Sequence, residues 1–365
     1  MKAKQRHGFS GMIDQEFWQG KKVFVTGHTG FKGAWLTLWL SQMGAHVTGY
    51  SDRIDETHIL FKNLDELKSR INHIEADVLD LERLKNAVQD SEADIVIHLA
   101  AQSLVKESYN NPLDNYKTNV IGTCNIMEVL RGASSVDLAL IVTSDKCYRN
   151  NETGAFFKEE DALGGYDPYS ASKACSEIVV NSYRHSFFDD RDIGIATARA
   201  GNVIGGGDFS HNRLIPDIIR ATIDENPLVI RYPQAVRPWQ HVLDCLSGYL
   251  LLVQNLYENK SGFSEAWNFG PTKESCQPVQ ALITNFQKHW HNIDVEINRD
   301  NTPYESGLLN LDTTKARTRL NWQTSLNFDE SVEWTASWYK DVFLDKENIE
   351  NTSVAQLEKY IKNIN

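Results

Sequence analysis

Along the first half of the chain, short continuous apolar runs alternate with stripes of helical period. Val23, Phe24 and Val25 form one such run, closed by Thr26-Gly27. His46 to Tyr50 (HVTGY), Ile71 to Ala76, Asp94 to Leu99 (DIVIHL), Leu138 to Thr143 and Ile193 to Arg199 repeat the pattern. Runs of this kind predict strands buried on both faces. Between the first two, Phe31, Ala34, Trp35, Leu38 and Trp39 recur at the spacing of a helix packed on a sheet. Leu79 to Val88 and Leu113 to Arg131 are helical by the same criterion. The alternation predicts an α/β fold with a Rossmann-type doubly wound parallel sheet, whose ligands lie beyond the carboxyl ends of the strands. After Arg199 the alternation weakens. A helix from Asp244 to Leu256 is predicted to return to the sheet, Ala266 to Gly270 (AWNFG) to form a strand, and Gln277 to Trp290 and Ser331 to Phe343 to be helical. From about Asp345 the chain reads as a charged tail without repeat.

The strand ends carry the chemistry. After the first, Gly27, Gly30 and Gly33 are spaced G-x-x-G-x-x-G ahead of a helix. Glycine permits a tight turn and close backbone approach, and the helix's unpaired N–H groups then face an anion, although a turn that binds nothing would look alike. At the second strand's end stand Ser51 and Asp52. Asp52 suits an adenosine ribose hydroxyl or is an ordinary loop aspartate, with Arg53 beside it. Ala100-Ala101-Gln102 after the fourth strand are small enough for a cofactor to lie against the backbone. His98 reads as a packed strand residue, and Asn119 either satisfies backbone groups or touches a ligand. The fifth strand ends in Ser144-Asp145-Lys146, a polar cap or a reactive edge. Tyr169 and Lys173, in YSASK, share a helix face four residues apart. An ammonium beside a phenol favours the phenolate, so a lowered tyrosine pKa and a general base are expected, with Ser144 aligning a substrate hydroxyl. Alone, such a pair is often a solvated helix face; behind the glycine turn it indicates a nicotinamide-dependent enzyme. Arg213, Arg231 and Arg237 are candidates to clamp a diphosphate, and Tyr232 or Trp239 to stack on a base.

Composition narrows the partners. The 365 residues carry a net charge of -12, which argues against a nucleic-acid surface, so any bound nucleotide is small and held locally. Five scattered cysteines without C-x-x-C spacing suggest neither a disulfide framework nor a metal site. No apolar run approaches the ~20 residues that span a bilayer, and the polar start MKAKQRHGFSG lacks a signal-peptide core, so no membrane partner and a cytoplasmic location are expected.

In matching order over about residues 12 to 340, TGHTGFKG, HLAAQ, TNVIGT, VTSDKCY, YSASK, RAGNVIGGGD, RPWQHVLD, WNFG and LDTTKAR resemble the extended short-chain dehydrogenases/reductases, specifically the nucleotide-sugar 4,6-dehydratases. Most of these carry Asp-Glu after the fifth strand. Asp145-Lys146 here, with HTGFKG, SDKCY and GGYDPYS, is similar to the branch acting on CDP-glucose. The resemblance implies NAD as cofactor and Ser144, Asp145, Lys146, Tyr169 and Lys173 as catalytic residues. Lys146 would remove the C5 proton or stabilise an enolate, and Asp145 would protonate the departing 6-hydroxyl. It places Gly27, Thr29, Gly30, Phe31, Lys32, Gly33, Asp52, Asp77, Val78, Leu99, Ala100, Ala101, Tyr169 and Lys173 around NAD, with the family's ribose acid aligning nearer Ser51. Asn202, Arg213 and Arg237 would contact the nucleotide sugar, and a homodimer is expected. The implied division is a disordered tail (1–11), a Rossmann domain (12–201, with return segments about 238–270) and a nucleotide-sugar-binding domain (202–237 and 271–365). A 4-epimerase or a non-catalytic NAD sensor on the same fold are the alternatives.

Overall fold

The computed structural model describes residues 11–291, 293–298 and 309–364; residues 1–10 of the expected tail lie outside them. Seven parallel strands form the central sheet: β1 Lys22–Thr26, β2 His46–Ser51, β3 Asn72–Glu75, β4 Ile95–His98, β5 Leu138–Val142, β6 Gly194–Ala200 and β7 Ala266–Phe269. Their order is β3-β2-β1-β4-β5-β6-β7, with β1 lying between β2 and β4 (Val23 opposite Val47 and Ile95). The order reverses at β1, which opens the crevice where such sheets bind ligands.

Both faces of the sheet are covered, and the period of two along each strand sorts the side chains. Val23, Val25, Ile95, Ile97, Leu138 and Leu140 join one core with α1 (Phe31–Gln42) and the helix Val242–Glu258. Phe24, Val96, Ala139 and Ile141 join the other, with α2 (Leu81–Asp90), α3 and α4 (Pro168–Tyr183). The helix α3 runs as Pro112–Tyr116, a π-turn over Lys117–Ile121, and Gly122–Gly132. Beyond β6, the helices are α5 (Leu214–Ile223), α6 (Val242–Glu258), α7 (Val279–Gln287), α8 (Phe328–Phe343) and α9 (Ile349–Ile364). No described helix is long and apolar enough to cross a membrane.

The C-terminal stretch departs from expectation. Instead of a tail it forms α9, sixteen residues long, with Ser353, Leu357 and Tyr360 buried. The expected stripe of α1 is likewise too narrow, since Leu36 and Leu40 are buried as well. Helix α9 packs on α8, where the Trp338 indole N–H donates to the Ser353 hydroxyl at 2.9 Å, and its Tyr360 meets the Trp39 ring of α1 edge-on at 5.6 Å. The predicted helix 277–290 is shortened to α7 because Cys276–Pro278 pairs as a strand with Val236–Pro238.

Candidate active site

The site begins at the turn between β1 and α1. Gly27 has φ +70, and a Cβ there would lie 2.7 Å from the backbone N of Ala100. At Gly33 a Cβ would lie 2.0 Å from the carbonyl oxygen of Gly27. The turn and the strand β4 therefore close together only with glycine at both positions. The first-turn N–H groups of α1, which lack partners within the helix, open at this point. The Thr29 and Ser51 hydroxyls hydrogen-bond at 2.7 Å, tying the turn to the end of β2. Ser51 is thereby buried, whereas Asp52 is exposed.

At the other end, β5 leads into the short turn Asp145–Cys147. The Ser144 hydroxyl accepts from the Lys146 N–H at 3.2 Å and lies 3.0 Å from Asp145 Oδ1. Helix α4 starts beside it, capped by Asp167, whose carboxylate accepts from the Ser170 N–H at 2.9 Å. One turn of α4 then presents Tyr169 and Lys173, both buried. The Lys173 ammonium donates to the Val142 carbonyl at 3.3 Å. Burial pulls its pKa down to about 8, and the Lys32 ammonium pushes the same way. Burial pushes the Tyr169 phenol up to about 12, opposed by a hydrogen bond with Ser144. The expected lowering of the tyrosine pKa is thus reversed, because desolvation of the phenolate outweighs the favourable neighbours. Burial also raises the pKa of Asp145, against the pull of Lys146, Ser144 and Lys32. Lys32 turns its ammonium toward the Tyr249 hydroxyl, 3.5 Å away on α6.

One cavity of about 740 Å³ joins the two ends. Gly27, Thr29, Gly30, Phe31, Lys32, Gly33, Asp52, Asp77, Val78, Leu99, Ala100 and Ala101 line one part, and Ser144, Asp145, Lys146, Tyr169 and Lys173 the middle. Asn202, Arg213 and Arg237 line the rest. Arg213 donates to Asp208 at 3.2 Å and to Ser103 at 3.0 Å. Tyr232 and Trp239 both line this cavity, Tyr232 exposed and Trp239 buried with its indole N–H donating to the Gln277 carbonyl at 2.9 Å. His98 is a packed residue, bonded to Thr26 at 2.7 Å and held neutral by burial. Asn119 serves the backbone, its amide donating to the Gln102 carbonyl at 3.0 Å and accepting from the Gln102 N–H at 2.9 Å. Lys106 and Tyr109 line the cavity unforeseen. They come from a six-residue helix, Val105–Asn110, too short for any period to announce it.

A family model described as GDP-mannose 4,6 dehydratase matches residues 24–335. The chain belongs to the GDP-mannose 4,6-dehydratase family. Within that family's range of relatives it is 43% identical over 337 residues to a CDP-glucose 4,6-dehydratase of Salmonella typhimurium, covering 90% of this chain and 93% of that one. Two solved structures share the fold. One is an epimerase from Methanothermobacter thermautotrophicus (TM-score 0.77, 23% identity, 92% and 97% of the two chains). The other is a dTDP-glucose 4,6-dehydratase from Bacillus anthracis in complex with NAD (TM-score 0.74, 18% identity, 88% and 97%). The glycine turn and the Ser144-to-Lys173 cluster both fall inside the matched range.

Proposed function

We propose that this protein is a CDP-D-glucose 4,6-dehydratase, forming CDP-4-dehydro-6-deoxy-D-glucose and water with NAD as a resident cofactor. The observation that carries this reading is the meeting, in one cavity, of an acid and an amine at the end of β5 with the Tyr169-Lys173 pair. A 4-epimerase needs the second pair but not the first. Sequence identity of 43% to the Salmonella enzyme supports the choice of substrate.

The residues present fit NAD. The glycine turn leaves room that a Cβ would fill, α1 turns its N-terminus to the cavity, and Asp52, Asp77 and Val78 line the part beyond. When bound, NAD supplies the acceptor and donor of one hydride. Tyr169, aligned by Ser144, takes the proton of the 4-hydroxyl as the C4 hydrogen leaves. The ketone so formed acidifies C5, and Lys146 takes that proton. The C6–O bond then breaks, and Asp145, whose burial favours the protonated form, delivers its proton so that water departs. Lys146 then returns its proton to C5, and bound NAD would supply the hydride that C6 gains, leaving no net redox change. Asn202, Arg213 and Arg237 hold the diphosphate, bidentate arginine pairing being the strongest such contact.

A second copy of the chain is the partner of the exposed apolar side chains on α3 and α4, among them Leu113, Tyr116, Ile121 and Ile178. The five free thiols suit a reducing cytoplasm.

The test is incubation with CDP-, dTDP-, UDP- and GDP-hexoses and mass detection of water loss. CDP-glucose deuterated at C4 should give product labelled at C6, and reaction in D2O should label C5. Equal turnover of dTDP-glucose defeats the substrate assignment; an isomer of unchanged mass defeats the dehydratase assignment.

A further inference from the structure

Behind the cavity a buried polar chain links the two elements that carry the reactive groups. Tyr148 follows the Asp145–Cys147 turn and is 1% exposed. Its phenol accepts from the Arg199 guanidinium at 2.7 Å and donates to Asn268 Oδ1 at 2.7 Å. Its ring stacks on Phe157, with centroids 5.0 Å apart and planes 12° apart. Arg199, on β6, donates its other terminal nitrogen to Glu177 at 2.8 Å, and the two side chains are 4% and 3% exposed. Glu177 also accepts from the Thr143 and Thr197 hydroxyls. It stands on α4 one turn beyond Lys173 and two beyond Tyr169. Asn268, on β7, completes the chain by donating to the Phe157 carbonyl at 2.8 Å and the Asp312 carbonyl at 3.2 Å. None of the four residues lines the cavity.

A buried ion pair adds little net stability over well-packed apolar residues, so its use here calls for another benefit. We propose that Glu177, Arg199, Tyr148 and Asn268 form a positioning device that holds the Asp145-Lys146 turn in register with Tyr169 and Lys173 on α4. Tyr148 is the link that reaches the turn. This rests on the dehydratase reading, in which the first proton transfer uses α4 and Ser144, while elimination uses Asp145 and Lys146. Loosening Tyr148 therefore frees the groups of the second step and leaves those of the first in place. A displacement of about 1 Å in reacting groups can cost about a hundredfold in rate.

The variant is Tyr148→Phe, which keeps the ring and its stack on Phe157 and removes only the hydroxyl. In single turnovers with CDP-glucose and NAD, hydride transfer from C4 should keep its wild-type rate and the KM should stay within about twofold. Elimination should slow by about ten- to a hundredfold, so reduced nicotinamide accumulates on the enzyme and is read by its absorbance. Amide hydrogen exchange of residues 145–148 should quicken while that of α4 is unchanged. Should Tyr148→Phe not fold, Phe157→Leu, which removes the ring on which Tyr148 stacks, loosens the same end of the chain and reads the same partition. Parallel slowing of both half-reactions, or wild-type partition with wild-type exchange, overturns the proposal. A wild-type enzyme that dehydrates no nucleotide hexose overturns the dehydratase reading instead, and the exchange measurement then decides the positioning claim alone.

Discussion

Lys173 is held where an ammonium is least comfortable. Its pKa is about 8 in the folded protein and about 10.4 in an unfolded chain. Between those values the unfolded chain binds more protons, so stability rises with pH across that window. Below about pH 8 the folded state bears the whole penalty, of about 3 kcal/mol. Lys173→Met should therefore melt higher than wild type at neutral pH, with the difference gone above about pH 10.5; thermal melts across that range check it. Tyr169 carries the opposite charge problem, its phenol pushed up to about 12. Tyr169→Phe loses no diphosphate contact and should bind nucleotide sugar as wild type does while turnover falls about a hundred- to ten-thousandfold. Calorimetry beside a turnover assay separates the two, and wild-type turnover by the folded variant removes Tyr169 from its role. The sequence indicated that these residues meet, but not the sign of the tyrosine's shift, which depends on how much of the whole fold covers it.

At the scale of elements, one of the contacts that hold α9 is a buried carboxylate on α6. Asp244, on α6, accepts from the Tyr360 hydroxyl at 2.6 Å and from the Ser325 and Leu326 N–H groups at 2.7 and 3.2 Å. Burial still pushes its pKa up to about 6. The folded state thus holds the proton more tightly than the unfolded chain, and stability from this group falls as pH rises from about 4 through about 6. Tyr360→Phe removes one donor from the ionised carboxylate. It should cost about 1–3 kcal/mol at neutral pH and less near pH 4, where Asp244 is protonated; melts at the two values decide. The strands and α1 were legible because each has a period or an apolar run of its own. Helix α9 was not, since Leu357 and Tyr360 are sparse among charged neighbours, and Tyr360 becomes meaningful only once α1, α8 and α6 present Trp39, Trp334 and Asp244 to it.

For the whole molecule, the proposed second copy would be met on the outer faces of α3 and α4. Ile178 is 56% exposed on α4 and Ile121 is 49% exposed on α3, with Leu113 and Tyr116 exposed on the same helix. An apolar face spread over two adjacent helices is the size of feature that a second copy covers. Ile178→Lys, which desolvates a charge in any such interface, should shift the protein from dimer to monomer in analytical ultracentrifugation while its melting curve stays cooperative. A wild-type monomer at micromolar concentration, or an unshifted variant, removes these helices as the interface.

The places of the strands along the chain and the residues at their ends were determined by the sequence alone, because a strand buried on both faces must be a continuous apolar run and a parallel sheet gathers its ligand groups at one edge. That is why Gly27 and Ser144 were identifiable from the strand ends, while Tyr169 was found by its helical spacing to Lys173 and Asn202 by the family resemblance, before all four were seen to share one cavity. Tertiary structure alone decided what depends on contacts between distant segments. These are the reversal of the Tyr169 shift by burial, the docking of α9 on α8 and α6, and the joining of Glu177, Arg199, Tyr148 and Asn268. Hydrogen bonds and desolvation act over a few ångströms of space, and no pattern along the chain encodes which groups will come within that distance.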